Sequence, residues 1–289
     1  MGIGDGVVVG HAKILDNGSD GDRWNLTILS EGYQDAELAQ FHLHALELVS
    51  ALNATTPFAG LLSAINVHRV DIASTDSGAD DPTTCGGTGA TADTFLDASF
   101  CSGGVRRDLL VVDSNLAVST AFAQVINTHA IIVLVNSPVY GGSGTSGTGV
   151  GVAVCSLHPD AFDIALHELG HSAFGLADEY DCVAGAQTLY SGPEPVEPNI
   201  TIEGSLAANK WRHLVDPSTA MPTMSNEDCD CSGLPSPVAA GTVGAFEGAA
   251  YCHCGLYRGE FGCKMRNLKQ PFCAVCDDTI NAVLFPFFP

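Results

Sequence analysis

Two histidines four residues apart, with a glutamate directly after the first, constrain this chain more than any other feature: His167-Glu168-Leu169-Gly170-His171. Positions i and i+4 share a face only on an α-helix, so this segment has to be helical for both imidazoles to reach one ion. The surrounding stretch, residues 161–176, is otherwise mostly apolar. A helix of that composition packs against a core, and its ionisable groups then face a site rather than decorate a surface. Paired neutral imidazoles suit zinc, which binds His nitrogen at ~2.0–2.1 Å and prefers four ligands. Glu168 can reach a water held by that ion and act as general base.

A third protein ligand is needed. After His171 the chain reads Ser172-Ala173-Phe174-Gly175-Leu176-Ala177-Asp178-Glu179-Tyr180. Gly175 permits a sharp exit from the helix. The next metal-capable residues are Asp178 and Glu179. Either carboxylate can complete the site; Asp178 is preferred, which leaves Glu179 to bond a ligating histidine.

Composition narrows the function classes. Eleven Lys and Arg against 33 Asp and Glu give a net charge of −22, which excludes nucleic acid as a partner because phosphate binding needs clustered cations. No apolar run reaches the roughly 18 residues of a membrane span. The N-terminus lacks the basic and apolar parts of a signal peptide, so the chain is either cytosolic or has lost its signal. Eleven cysteines favour the second: a secreted or periplasmic protein with a disulfide framework. An odd count leaves at least one thiol unpaired, metal-bound or linked to another chain. Four Asn-x-Ser/Thr sequons, at Asn17, Asn25, Asn53 and Asn199, fit the same compartment.

The hydrophobic pattern predicts an α/β (α+β) fold with a mixed sheet and an active-site helix. Strands are expected at 26–29, 65–72, 130–135 and 151–156, and helices at 36–52 and from 159–160 to Gly175. Residues 152–155 are a candidate edge strand for an extended substrate. A long loop over 74–104 contains Cys85 and Cys101, and its Asp76, Asp80 and Asp81 are candidates for calcium, a second cofactor. The Gly- and Ser-rich segment 140–151 is expected to be a flexible loop. The whole chain, 1–289, is expected to be a single catalytic domain. Its upper α/β subdomain covers 1–181 and its cysteine-rich, loop-rich lower subdomain covers 182–289. There, Cys229, Cys231, Cys252, Cys254, Cys273 and Cys276 are expected to form disulfides, the alternative being a second zinc site that includes His253. Glu31 and Tyr33 are expected to serve a turn and packing. His158 is expected at the surface or at the cleft.

With these motifs in order, the chain resembles the metzincin clan of zinc peptidases. The clan places its glycine three residues and its last ligand six residues after the second histidine. Here Gly175 and Asp178 stand four and seven residues after His171, with Asp in place of His. That departure is similar to the peptidase M64 family, named for an IgA peptidase. The resemblance extends to Ile28-Leu29-Ser30-Glu31-Gly32-Tyr33, to the middle loop, to Tyr140-Gly141-Gly142 and to Cys263-Lys264-Met265-Arg266. It implies zinc-dependent hydrolysis of a protein or peptide substrate outside the cytoplasm, with Met265 lying beneath the metal as a hydrophobic base. It does not fix IgA as the substrate. Some metzincins stabilise the oxyanion with a Tyr two residues after that Met; here the place is Asn267, which leaves Tyr180, Tyr251 and Tyr257 as candidates. Two other classes stand beside the endopeptidase: a zinc hydrolase of non-peptide amides or esters, and a non-catalytic binding or adhesion domain on the same scaffold.

Overall fold

The apolar segments of the first half become the interior strands of one sheet. The computed structural model describes residues 4–104, 106, 108–145, 149–182, 186–231 and 233–289. Two compact units divide the chain, 1–173 with 284–289, and 174–283. In chain order the elements are β1 (Gly6–Leu15), β2 (Trp24–Glu31), α1 (Leu38–Ala54), α2 (Phe58–Leu61), β3 (Ile65–Ser74), α3 (Ser114–Gln124), β4 (Thr128–Val135), β5 (Gly142–Thr145), β6 (Val152–Cys155) and α4 (Ala161–Phe174). They continue as β7 (Gln187–Leu189), β8 (Ile200–Thr201), β9 (Phe246–Ala249), β10 (Cys252–Arg258) and α5 (Ala274–Leu284). No single helix among the described residues is long and apolar enough to cross a membrane.

In the first unit six strands form a mixed sheet in the order β1-β3-β2-β4-β6-β5. The inner four are parallel, and β1 and β5 close the two edges antiparallel. Parallel neighbours need crossover connections, and α1 and α3 supply them. Strand β2 is buried along its whole length. In β3 the polar residues of the alternating pattern are buried as well: Asn66 donates to Asn25 Oδ1 at 3.1 Å, and His68 stacks on His11. Hydrogen bonding, rather than water, satisfies them.

The loop after β3 is fastened to the C-terminal end of β2. The Glu31 carboxylate is fully buried and accepts from Leu96 N at 2.9 Å and Ala98 N at 3.1 Å. Burial raises its pKa, opposed by these donors. Tyr33 is buried beside it, its hydroxyl 2.9 Å from His44 Nδ1. Cys85 and Cys101 form the disulfide that pins the loop. Its acidic residues brace the backbone: Asp76 accepts from Asp93 N, Asp80 from Ala92 N and Asp81 from Thr88 N. Among the described residues these three carboxylates are not gathered into a cation cluster.

Three expectations need correction. Much of segment 140–151 is ordered as strand β5, while its residues 146–148 lie outside the described residues. Strand β6 is not an edge, because β4 and β5 flank it. Two sequons are unusable in the folded chain: Asn25 and Asn199 are fully buried with their amide groups bonded, whereas Asn53 is exposed.

The second unit carries more regular structure than its Pro-, Gly- and Cys-rich composition predicts. Strand β10 is its axis, pairing with β7 in parallel and with β8 and β9 antiparallel. Disulfides join Cys182 to Cys231 and Cys229 to Cys254.

Replacing Glu31 by Ala would leave the Leu96 amide without its acceptor and weaken that of Ala98. The expected loss is about 2–4 kcal/mol in denaturant unfolding. Unchanged stability would show that water replaces the carboxylate.

Candidate active site

Helix α4 places its two histidines as the spacing requires. His167 is buried and His171 half-buried, their Nε2 atoms 3.1 Å apart with the rings nearly perpendicular at 87°. Two nitrogens at ~2.05 Å on a tetrahedral zinc would stand roughly 3.3 Å apart, so the pair fits such an ion closely. Glu168 is also half-buried, with its Oε2 and His171 Cβ both against Gly144 of β5. Its charge reaches two neighbours in this unit. Burial first, and then the Glu168 carboxylate, push the Cys155 thiol up. The Tyr140 phenol is raised by burial and by Asp108 and Glu168.

Strand β5 sets where this helix lies. A Cβ on Gly144 would come 2.7 Å from Glu168 O and 2.9 Å from His171 Cβ. One on Gly142 would approach Glu168 Cγ at 3.4 Å, and one on Gly151 would collide with the Ser172 carbonyl. The glycines therefore mark close packing of sheet edge on helix, not flexibility. The sequence signal for it was present in their spacing but was read as a loop.

Asp178 and its neighbours lie in the second unit. Gly175, at φ +63°, takes the left-handed conformation that ends a helix. The backbone then runs with Asp178 O accepting from Ala250 N at 3.0 Å, Glu179 N donating to Met265 O at 2.8 Å and Tyr180 O accepting from Tyr251 N at 3.0 Å. The Tyr251 hydroxyl donates to Asp178 Oδ2 and lies 3.0 Å from the Tyr180 hydroxyl. Burial and then the Asp178 charge raise the Tyr180 phenol.

Tyr251 reaches Asp178 from a two-residue hairpin between β9 and β10. Both loop residues are left-handed, Ala250 at φ +48° and Tyr251 at φ +63°. Such a turn favours Asn-Gly, and side chains with a Cβ cost about 1–2 kcal/mol each there. A tyrosine held at that cost beside a carboxylate is a functional signal that a sequence reading cannot see.

The remaining candidates separate. Glu179 is fully buried, accepting from Asn199 Nδ2 at 2.9 Å, and Met265 is fully buried in the same unit. Tyr257 packs on Gly204. His158 contacts Tyr140 edge-on and accepts from Asp160 N at 3.2 Å. Of the cysteines expected in disulfides, Cys229, Cys231 and Cys254 are bonded, but Cys252, Cys273 and Cys276 are free thiols. The alternative zinc set of His253 with Cys229 and Cys231 is not assembled, because those two are in disulfides.

The variant Gly144→Val is expected to cost about 1–3 kcal/mol by overpacking β5 on α4, and to weaken metal retention. Gly149→Ala, with open space around its Cβ, is the matched control. Equal stability and metal content in both would remove the packing role assigned to Gly144.

No curated protein matches the chain. The model of the family described as IgA Peptidase M64 matches residues 12–233 and 232–284. Its span takes in β2, helix α4 and the Met265 turn together. The chain thus belongs to the M64 peptidase family, a family of metallopeptidases.

Proposed function

We propose that this protein is an exported, metzincin-like, zinc-dependent endopeptidase. In this reading His167, His171 and Asp178 hold the metal and Met265 forms its hydrophobic base. The observation that carries it is the pair of Nε2 atoms 3.1 Å apart on one face of α4, with Glu168 Oε2 and His171 Cβ both against Gly144. Zinc, when bound, supplies a Lewis acid that acidifies a water and polarises the scissile carbonyl. Glu168 takes the proton of that water and delivers it to the leaving amine. Tyr251 orients Asp178 through its hydroxyl, and with Tyr180 it forms a phenol pair suited to stabilise developing negative charge.

An extended peptide would add to the sheet along β5, the strand at the end of the order, rather than along β6. Three disulfides support an oxidising compartment. The acidic surface, at a net charge of −22, supports a preference for neutral or basic substrates over nucleic acid.

Metal content and casein hydrolysis, measured for the native chain and for Glu168→Ala, test the proposal. The expected result is zinc retained in both, with activity falling about 10²–10⁴-fold in the variant and abolished by chelation in the native chain. Equal hydrolysis by the two would remove Glu168 from the chemistry. Zinc binding with no cleavage of any protein by either would favour a binding domain on this scaffold.

A further inference from the structure

Three cysteines and a carboxylate outside the proposed catalytic set converge in the interior of the second unit. Glu179, Cys263, Cys273 and Cys276 are all buried, and one ligand atom from each lies within 4.8 Å of every other. The Sγ atoms of Cys263 and Cys276 are 3.6 Å apart. Glu179 Oε1 lies 3.5 Å from Cys276 Sγ and 3.8 Å from Cys273 Sγ. A tetrahedral zinc with Zn–S near 2.3 Å and Zn–O near 2.1 Å has S···S edges of about 3.8 Å and S···O edges of about 3.6 Å. The Cys263–Cys276, Glu179–Cys276 and Glu179–Cys273 edges match such a polyhedron, and the remaining three are no longer than 4.8 Å.

Two further observations point to an ion. Glu179 Oε2 is fully buried and has no hydrogen-bond partner among the described residues. A carboxylate so placed is costly unless a cation meets it. Cys273 N donates to Cys263 Sγ at 3.3 Å, the kind of backbone bond that supports a thiolate. Cys276 sits in the first turn of α5, where the helix dipole favours negative charge. A disulfide explains the cluster less well. It would join two sulfurs at ~2.05 Å, leave a third thiol buried and give Glu179 Oε2 nothing to meet. Three thiolates and a carboxylate on a divalent ion leave a net charge of −2, and the buried guanidinium of Arg258 interacts with Glu179 and Cys263 to offset part of it.

We propose that Glu179, Cys263, Cys273 and Cys276 form a second zinc site, closed and structural. All four positions are filled by protein, so no place is left for water or substrate. The site ties the residue after Asp178 to the turn that carries Met265 and to the start of α5. Its existence does not depend on the peptidase reading.

The test uses the full chain with His167→Ala and His171→Ala, which removes the proposed catalytic metal and leaves the second site. Zinc is measured after gel filtration, and cobalt(II) is substituted for it. Thiols are counted by alkylation after non-reducing denaturation with chelator. About one zinc per chain is expected, with a thiolate-to-cobalt charge-transfer band in the near ultraviolet. Five alkylated cysteines are expected, corresponding to Cys155, Cys252, Cys263, Cys273 and Cys276. Adding Cys276→Ser or Glu179→Gln should release the zinc and the band. Two fewer thiols and no zinc would overturn the proposal in favour of a disulfide. A full thiol count with no bound metal would overturn it as well. Both readouts on the double variant decide the matter even if Cys276→Ser does not fold.

Discussion

The close approach of strand β5 to helix α4 is the constraint on which the rest of the first unit's chemistry depends. A helix carrying His167, Glu168 and His171 must present them at a sheet edge while burying the residues between them. Ile164, Ala165, Leu166 and Leu169 are buried, so one face anchors the helix. The edge then has to run past the backbone at Glu168 without a Cβ in the way, and Gly142 and Gly144 provide that space. Glycine gives up more conformational entropy on folding than any other residue. That loss is offset here by antiparallel pairing with β6 and by the Ser143 Oγ bond to Leu110 O at 2.6 Å. Residues 142–145, within a segment that has the composition of a flexible linker, thus form a wall against the face of α4 that carries Glu168 and His171.

The second unit solves a different problem. Its buried apolar side chains, among them Trp211, Phe246, Met265, Phe272 and Ile280, sit between irregular segments rather than along long helices or strands. Polar and covalent cross-links add to their burial. Lys210 Nζ donates to three loop carbonyls, those of Pro195, Glu197 and Ile200, at 2.6–2.7 Å. Trp211 Nε1 donates to Gly244 O at 2.7 Å, and two disulfides close the loops on either side of β10. Each satisfies or restrains backbone that no helix or sheet ladder reaches.

These two strategies explain what a sequence reading could and could not recover. Periodic apolar burial is written along the chain, so β2, α1, β3, β4, β6 and α4 were legible from their patterns. The α4 metal motif was legible because i and i+4 on a helix is a local relation. Strand β5 was misread because glycines chosen for close packing look like glycines chosen for freedom. Strands β7, β8 and β9 are only two to four residues long, too short to show a period. The alternation of β10 and the helical spacing of Val275, Ile280 and Leu284 in α5 were hidden in a Pro-, Gly- and Cys-rich composition. Cys182 pairs with Cys231, and Cys229 with Cys254, rather than within either Cys-x-Cys pair. The role of Tyr251 depends on a left-handed hairpin that its neighbours give no hint of.

Asp178 and Glu179 show most sharply how environment divides identical chemistry. As adjacent carboxylates they were both candidates for one ligand position, with Asp178 preferred. Along an extended backbone successive side chains point to opposite sides. One therefore meets the Tyr251 hydroxyl, and the other meets Asn199 and the thiols of Cys273 and Cys276. A shift of one residue would exchange them, so register decides which carboxylate serves which purpose. It is fixed by three consecutive backbone bonds, from Ala250 N to Asp178 O, from Glu179 N to Met265 O and from Tyr251 N to Tyr180 O. The hairpin and the Met265 turn thus grip the same tripeptide from two sides. The strain stored in Ala250 and Tyr251 is the cost of setting that register without any choice left to the side chains themselves.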